Sequence, residues 1–188
     1  QLFIRSYIIK ELSVNEAGIW EGINRISGMY LMIITSSFGV YYLPRLSEIK
    51  DKNELKKEIF TAYKLIIPIL IIGCIGIYIS RDLIIKILFS PEFYSMRDLF
   101  FYQLIGDVFK ICSWLLAFLM IAKTMTKLYV VTEIISSIFF VCISIILIKR
   151  NHIEGVTQSY MITYFIYFFL MIFIFRKILF WKTNNPIT

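Results

Sequence analysis

Residues 99–122 read LFFYQLIGDVFKICSWLLAFLMIA. Twenty-four residues of helix reach about 36 Å at 1.5 Å per residue. That exceeds the ~30 Å hydrocarbon core of a bilayer. The run is apolar apart from Gln103, Asp107 and Lys110, which with Trp114 recur at intervals of three or four. That spacing places all four on one narrow face of a helix. A membrane-length helix carrying both signs of charge on one face sets the terms for the rest of the chain.

Four further windows are long and apolar enough to cross: Trp20–Leu43, Tyr63–Ile79, Leu128–Ile148 and Val156–Phe175. Residues 1–9 fit the tail of an earlier span. Pro44 is expected to end the first span, leaving residues 44–59 as a solvated turn or short helix. Residues 123–127 and 149–154 read as short basic turns. Residues 81–93 are too short and charged to span, and suit an amphipathic segment at the interface. Pro68, Gly73 and Gly76 suggest a kink and close packing in the second span. The expected fold is an all-α polytopic bundle of five full spans, with residues 1–188 forming one domain.

Composition agrees. The chain has 188 residues, 59% of them hydrophobic, where soluble domains have roughly 45–50%. Mean hydropathy is +0.75. The net charge of +7 is spread between apolar runs, which argues against nucleic acid and for membrane-flanking loops. Ten Lys and Arg fall on the side of loop 44–59, residues 123–127 and the C-terminal end (Lys182 included), and seven on the other. The excess places loop 44–59 in the cytoplasm. Cys74, Cys112 and Cys142 lie in apolar stretches without ligand spacing and read as packing residues. One histidine, His152, makes no metal site. No Gly-rich phosphate loop or nucleophile motif appears, so no enzyme and no cofactor is expected. Residues 1–19 mix charged and apolar side chains and do not resemble a signal peptide.

Polar stripes run along four of the five spans. The first carries Glu21, Asn24, Arg25, Gly28, Thr35, Ser36 and Gly39; the third, the face already described. The fourth carries Glu133, Ser136, Ser137 and Ser144, and the fifth Tyr160, Thr163, Tyr164 and Tyr167. Ionisable groups at membrane depth cost about 2.5–3.5 kcal/mol each on insertion scales and usually face protein or water. Local pairing offers a plain alternative: Asp107 with Lys110, and Glu21 with Arg25. Glu133 lacks such a partner and is near enough to the 123–127 turn to reach the interface. Four stripes together imply a shared aqueous cavity with both charge signs on its wall.

Three segments carry a family resemblance: YYLPRLSEI at 41–49, IIKILFSPEF at 84–93 and QLIGDVFKICSWLLAFLMIAKTMTKLYVVTE at 103–133. Together they resemble the C-terminal half of a Wzx-type O-antigen flippase. That family is related to the multidrug and toxic compound extrusion (MATE) transporters. The resemblance implies the second of two facing helix bundles. The chain is therefore expected to be a fragment or a truncated product, lacking its N-terminal bundle as partner.

The resemblance also implies an activity, a substrate and a place. The activity is movement of undecaprenyl-diphosphate-linked oligosaccharide repeat units from the cytoplasmic to the periplasmic leaflet of a bacterial inner membrane. O-antigen polymerase machinery is an expected partner, and a proton or sodium gradient an expected driving force. In that setting Arg25 and Lys110 would attract the diphosphate. Asp107, Glu133 and Glu21 would balance charge or carry a coupling proton. Gln103, Trp114, Tyr160, Tyr164 and Tyr167 would pack against the sugar. Two other readings stand beside it: a MATE-like exporter of cationic drugs, and a non-transporting membrane scaffold.

Overall fold

The computed structural model describes residues 2–180; Lys182 lies outside them. Every described element is helical, and five helical runs are long and apolar enough to cross a membrane. Helix α1 spans Leu2–Glu11. Ser13 caps α2, Val14–Ser37, its side chain accepting from the Glu16 amide at 3.1 Å.

Pro44 does not end the first span. Its missing N–H would leave the Val40 carbonyl without a donor, and its ring would press on that carbonyl. The chain responds with a single π turn over Phe38–Tyr42, in which the Leu43 amide reaches back to the Phe38 carbonyl. Helix then resumes as α3, Leu43–Glu48. The continuous helical run is Val14–Glu48, longer than the expected window at both ends.

The expected 44–59 connection is likewise mostly helix. Only Ile49–Asp51 lie outside it before α4, Lys52–Ile79. Asp51 starts α4 by accepting from the amides of Asn53 and Glu54, each at 2.8 Å. Arg45 pins the hairpin, with Glu54 at 2.9 Å and Glu58 at 3.7 Å. Pro68 is accommodated inside α4. Gly73 and Gly76 do not pack closely: a Cβ on either would meet nothing within 4 Å. They sit on the exposed side of the helix.

Helix α5, Arg81–Leu88, and a 3-10 turn over Pro91–Asp98 form the expected short segment. Helix α6, Leu99–Ala122, follows, then α7, Thr126–Asn151, and α8, Glu154–Leu179. Helix α6 is the centre of the bundle. Its most apolar window is 61% buried, against 17–28% for the other four. The outer helices turn large apolar side chains outward, such as Ile33, Ile72, Ile138 and Phe173. Hydrocarbon solvates such faces as well as protein does, so helix association must come from close packing and polar contacts.

Both are present. A Cβ on Gly106 would lie 2.4 Å from the Tyr160 ring and 3.2 Å from the Met161 Cα. Gly106 thus lets α6 and α8 approach at backbone distance. Gly155 does the same for the α7–α8 turn, against the Leu147 carbonyl at 2.3 Å. Two tyrosines stitch the other side. Tyr63 donates to the Cys112 carbonyl at 2.5 Å, and Tyr42 to the Leu115 carbonyl at 3.1 Å. At the end of α6, Lys123 Nζ donates to the Ile49 carbonyl at 2.5 Å.

Candidate functional site

The polar stripes of α6, α7 and α8 meet, and the N-terminal half of α2 joins them. Lys110, Glu133, Ser136, Ser137, Tyr160, Thr163 and Tyr164 line a hollow of about 200 Å³, closed on one side by Trp20 and Asn24. The fifth-span stripe faces inward because Tyr160, Thr163, Tyr164 and Tyr167 recur at three- and four-residue intervals. Their phenyl faces then stack along α8. Tyr160 and Tyr164 have ring centroids 4.8 Å apart, and Tyr164 and Tyr167 6.4 Å.

Asp107 lies beneath this hollow and is fully buried. Three hydroxyls converge on its carboxylate. Ser27 Oγ donates to Oδ2 at 2.7 Å, Tyr30 donates to the same oxygen, and Tyr160 donates to Oδ1 at 2.7 Å. Gln103 Nε2 donates in turn to Ser27 Oγ at 3.1 Å. The carboxyl group therefore joins α2, α6 and α8 through hydrogen bonds. Gln103 and Asp107 support the hollow from behind and do not line it.

Lys110 makes no ion pair with Asp107, contrary to the local pairing that their spacing suggests. Its ammonium instead lies over three aromatic faces: 4.9 Å from Trp114, 5.5 Å from Tyr160 and 5.4 Å from Tyr164, measured to ring centroids. Cation–π contacts are worth about 2 kcal/mol or more when desolvated, so the aromatic faces offset much of the cost of placing a cation there. Glu133 shares the hollow with Lys110. Its Oε1 accepts from Tyr167 at 2.8 Å, and Tyr167 lies 3.4 Å from Thr132.

The other local pair that spacing allows, Glu21 with Arg25, is also absent. Glu21 bonds Arg5 of α1, Nε to Oε1 at 2.7 Å. Arg25 is exposed and has no ion-pair partner among the described residues. Arg5, Glu21 and Arg25 line a second hollow, of about 390 Å³, which shares Trp20 and Asn24 with the first. The two hollows are thus neighbours across one aromatic and one amide side chain. Ser144 is fully buried and lines neither hollow, so the fourth stripe is only partly convergent.

Ser27, Tyr30 and Gly106 were not legible as site residues from their own helices. Their signal is indirect: a buried carboxylate requires donors, and hydroxyls three apart on a neighbouring span supply them. Among the described residues, no group of three or more His, Cys, Asp or Glu side chains is placed to hold a metal ion.

Over 169 residues, 90% of the chain, the sequence is 35% identical to the lipid III flippase of Escherichia coli (strain K12). It matches the lipid III flippase of Shigella flexneri to the same degree. The chain spans 41% of the length of each. No family model matches the chain, and no solved structure matches it. The five-span bundle around Asp107 and Lys110 is therefore similar, over most of its own length, to less than half of a lipid III flippase.

Proposed function

We propose that the chain is one bundle of a flippase for a lipid-linked oligosaccharide, and that the two adjoining hollows form part of its substrate path. One observation carries the reading. Lys110 is a basic side chain inside the bundle whose Nζ lies over three aromatic faces and, among the described residues, makes no direct ion pair, with Glu133 on the same wall. A charge kept in this way remains available to an incoming anion, whereas a paired one would first have to be released. Arg25, equally unpaired, stands in the neighbouring hollow. Two cations along one path suit a diphosphate. The serines, tyrosines and Asn24 around them offer hydrogen bonds and ring faces to sugars.

The similarity to lipid III flippases supports the activity class. Within that class we favour an undecaprenyl-diphosphate-linked O-antigen repeat unit moving from the cytoplasmic to the periplasmic leaflet of a bacterial inner membrane. A second bundle would close the path, and O-antigen polymerase would use the product. Asp107, shielded by three hydroxyls, and Glu133, at the wall, are the groups through which a proton or sodium gradient would act. A drug-exporter reading draws on the same aromatic faces, which suit organic cations. Lys110 already occupies them, which favours an anionic substrate.

The test is binding of undecaprenyl-diphosphate-linked oligosaccharide to the purified chain in detergent. Lys110→Glu is expected to weaken binding by at least about tenfold, the 1.4 kcal/mol that a lost charge contact supplies. Undiminished binding in a folded Lys110→Glu protein rejects the phosphate-attracting role.

A further inference from the structure

A third hollow lies away from the polar path, on the outer face between α2 and α4. It encloses about 460 Å³ and is overwhelmingly apolar. Ile33 and Tyr41 form one wall, and Ala62, Leu65 and Ile69 the other. Ile33, Tyr41, Leu65 and Ile69 are each more than 60% exposed. Phe38 and Tyr42, at the two ends of the π turn, also line it. A π turn widens a helix locally and recurs at functional sites; here it shapes one wall of the groove.

The groove has the length of one leaflet. Along the α2 run, Arg25 and Arg45 are separated by 20 residues, roughly 30 Å of helix and a full hydrocarbon thickness. The lining positions 33–42 occupy the half nearest Arg45. On α4 the lining runs from Glu58 to Ile69, about 16 Å by the same rise. Two basic residues of α4 flank the lining without forming part of it. Lys57 and Lys64 directly precede the lining residues Glu58 and Leu65. Both are exposed, and neither has an ion-pair partner among the described residues. The acids at this end are engaged by Arg45: Glu58, which lines the groove, at 3.7 Å, Glu54 at 2.9 Å and Glu48 at 4.0 Å.

We infer that this groove seats one acyl chain of an anionic phospholipid from the leaflet at the Arg45 end, with its phosphate held by Lys57 and Lys64. The inference does not rest on the proposed transport function. Basic side chains near a membrane surface favour an anionic headgroup by about fivefold each. Two of them select it over a zwitterionic lipid with identical chains by about twenty-five-fold.

Native mass spectrometry of the detergent-solubilised chain tests this, with dioleoylphosphatidylglycerol and dioleoylphosphatidylcholine as probes. The wild type is expected to retain one phosphatidylglycerol in roughly twenty-five-fold preference to phosphatidylcholine. Lys57→Gln with Lys64→Gln should erase the preference. Ala62→Trp fills the groove from α4 and Ser37→Phe from α2; each should lower retention of both lipids. Ile72→Trp, on an exposed face outside the groove, should change nothing, and neither should Lys110→Glu. Equal retention of the two lipids by the wild type overturns the inference. So does full retention in folded Ala62→Trp or Ser37→Phe protein, or loss in Lys110→Glu, which would place the lipid in the polar path. A dimer that Ala62→Trp dissociates, with no lipid retained, would assign the groove to a second copy and overturn it equally.

Discussion

Tyr160 donates its hydroxyl to Asp107 Oδ1 at 2.7 Å, and the face of the same ring lies 5.5 Å from the ammonium of Lys110. One side chain on α8 thus serves an anion with its edge and a cation with its face. The two charges sit three residues apart on α6 without pairing.

Removing the hydroxyl leaves a buried carboxylate short of one donor. Tyr160→Phe should destabilise the bundle by about 1.5–3 kcal/mol, the usual range for a hydrogen bond to a charged group. Thermal unfolding in detergent measures it. A cycle with Asp107→Asn should show coupling of about 0.5–3 kcal/mol, as expected of residues in one network. Additive effects would mean that the bond contributes nothing.

Exchange of the two charges separates the observed arrangement from a local ion pair. Asp107→Lys with Lys110→Asp would preserve a simple pair on α6. Here it would put an ammonium among three hydroxyls shaped to donate, and a carboxylate on the negative faces of Trp114, Tyr160 and Tyr164. The exchanged protein should fail to accumulate in membranes on immunoblots. Normal accumulation would show that Asp107 and Lys110 matter only as a pair.

The glycines divide sharply. Gly106→Ala would press a methyl into the Tyr160 ring and should cost about 1–3 kcal/mol, as overpacking does. Gly73→Ala and Gly76→Ala meet open space. They should be neutral or stabilise α4 by up to about 1 kcal/mol through helix propensity. The same unfolding assay reads all three, and equal losses would refute the assigned packing.

Topology gives a separate test. The turn before Asn53 and the segment around Ser90 lie at opposite ends of α4. Reporter fusions near Asn53 should be cytoplasmic, by the ten-to-seven excess of basic residues, and fusions near Ser90 periplasmic. Identical signals would remove α4 from the set of crossing helices.

The five spans were legible because membrane-length apolar runs are a strong and simple signal. Their ends were less so. Pro44 looked like a terminator, since proline removes one hydrogen bond; a π turn upstream absorbed the defect and let helix continue to Glu48. The stripes on α6, α7 and α8 were visible as periodicity. Which partner each charge took was not, because spacing along one helix says nothing of the helix that packs against it. Asp107 found Ser27, Tyr30 and Tyr160 across helix interfaces, and Glu21 found Arg5 in place of Arg25. Gly73 and Gly76 show the same limit: small residues mark close approach only where a neighbour exists, and neighbours stand at Gly106 and Gly155.

Lys123 reads in the sequence as one more basic turn residue, yet its ammonium grips the Ile49 carbonyl from the end of the central helix. The hairpin of α3 and α4 is thereby leashed to α6. Displacement of α6 must either drag the hairpin along or let go of that carbonyl and loosen the chain between Ile49 and Asp51. Lys50 and Asp51 are exposed, so the rate at which a protease cuts this short stretch is expected to gauge whether that bond is held. Lys123→Met would cut the leash and leave the gauge permanently open.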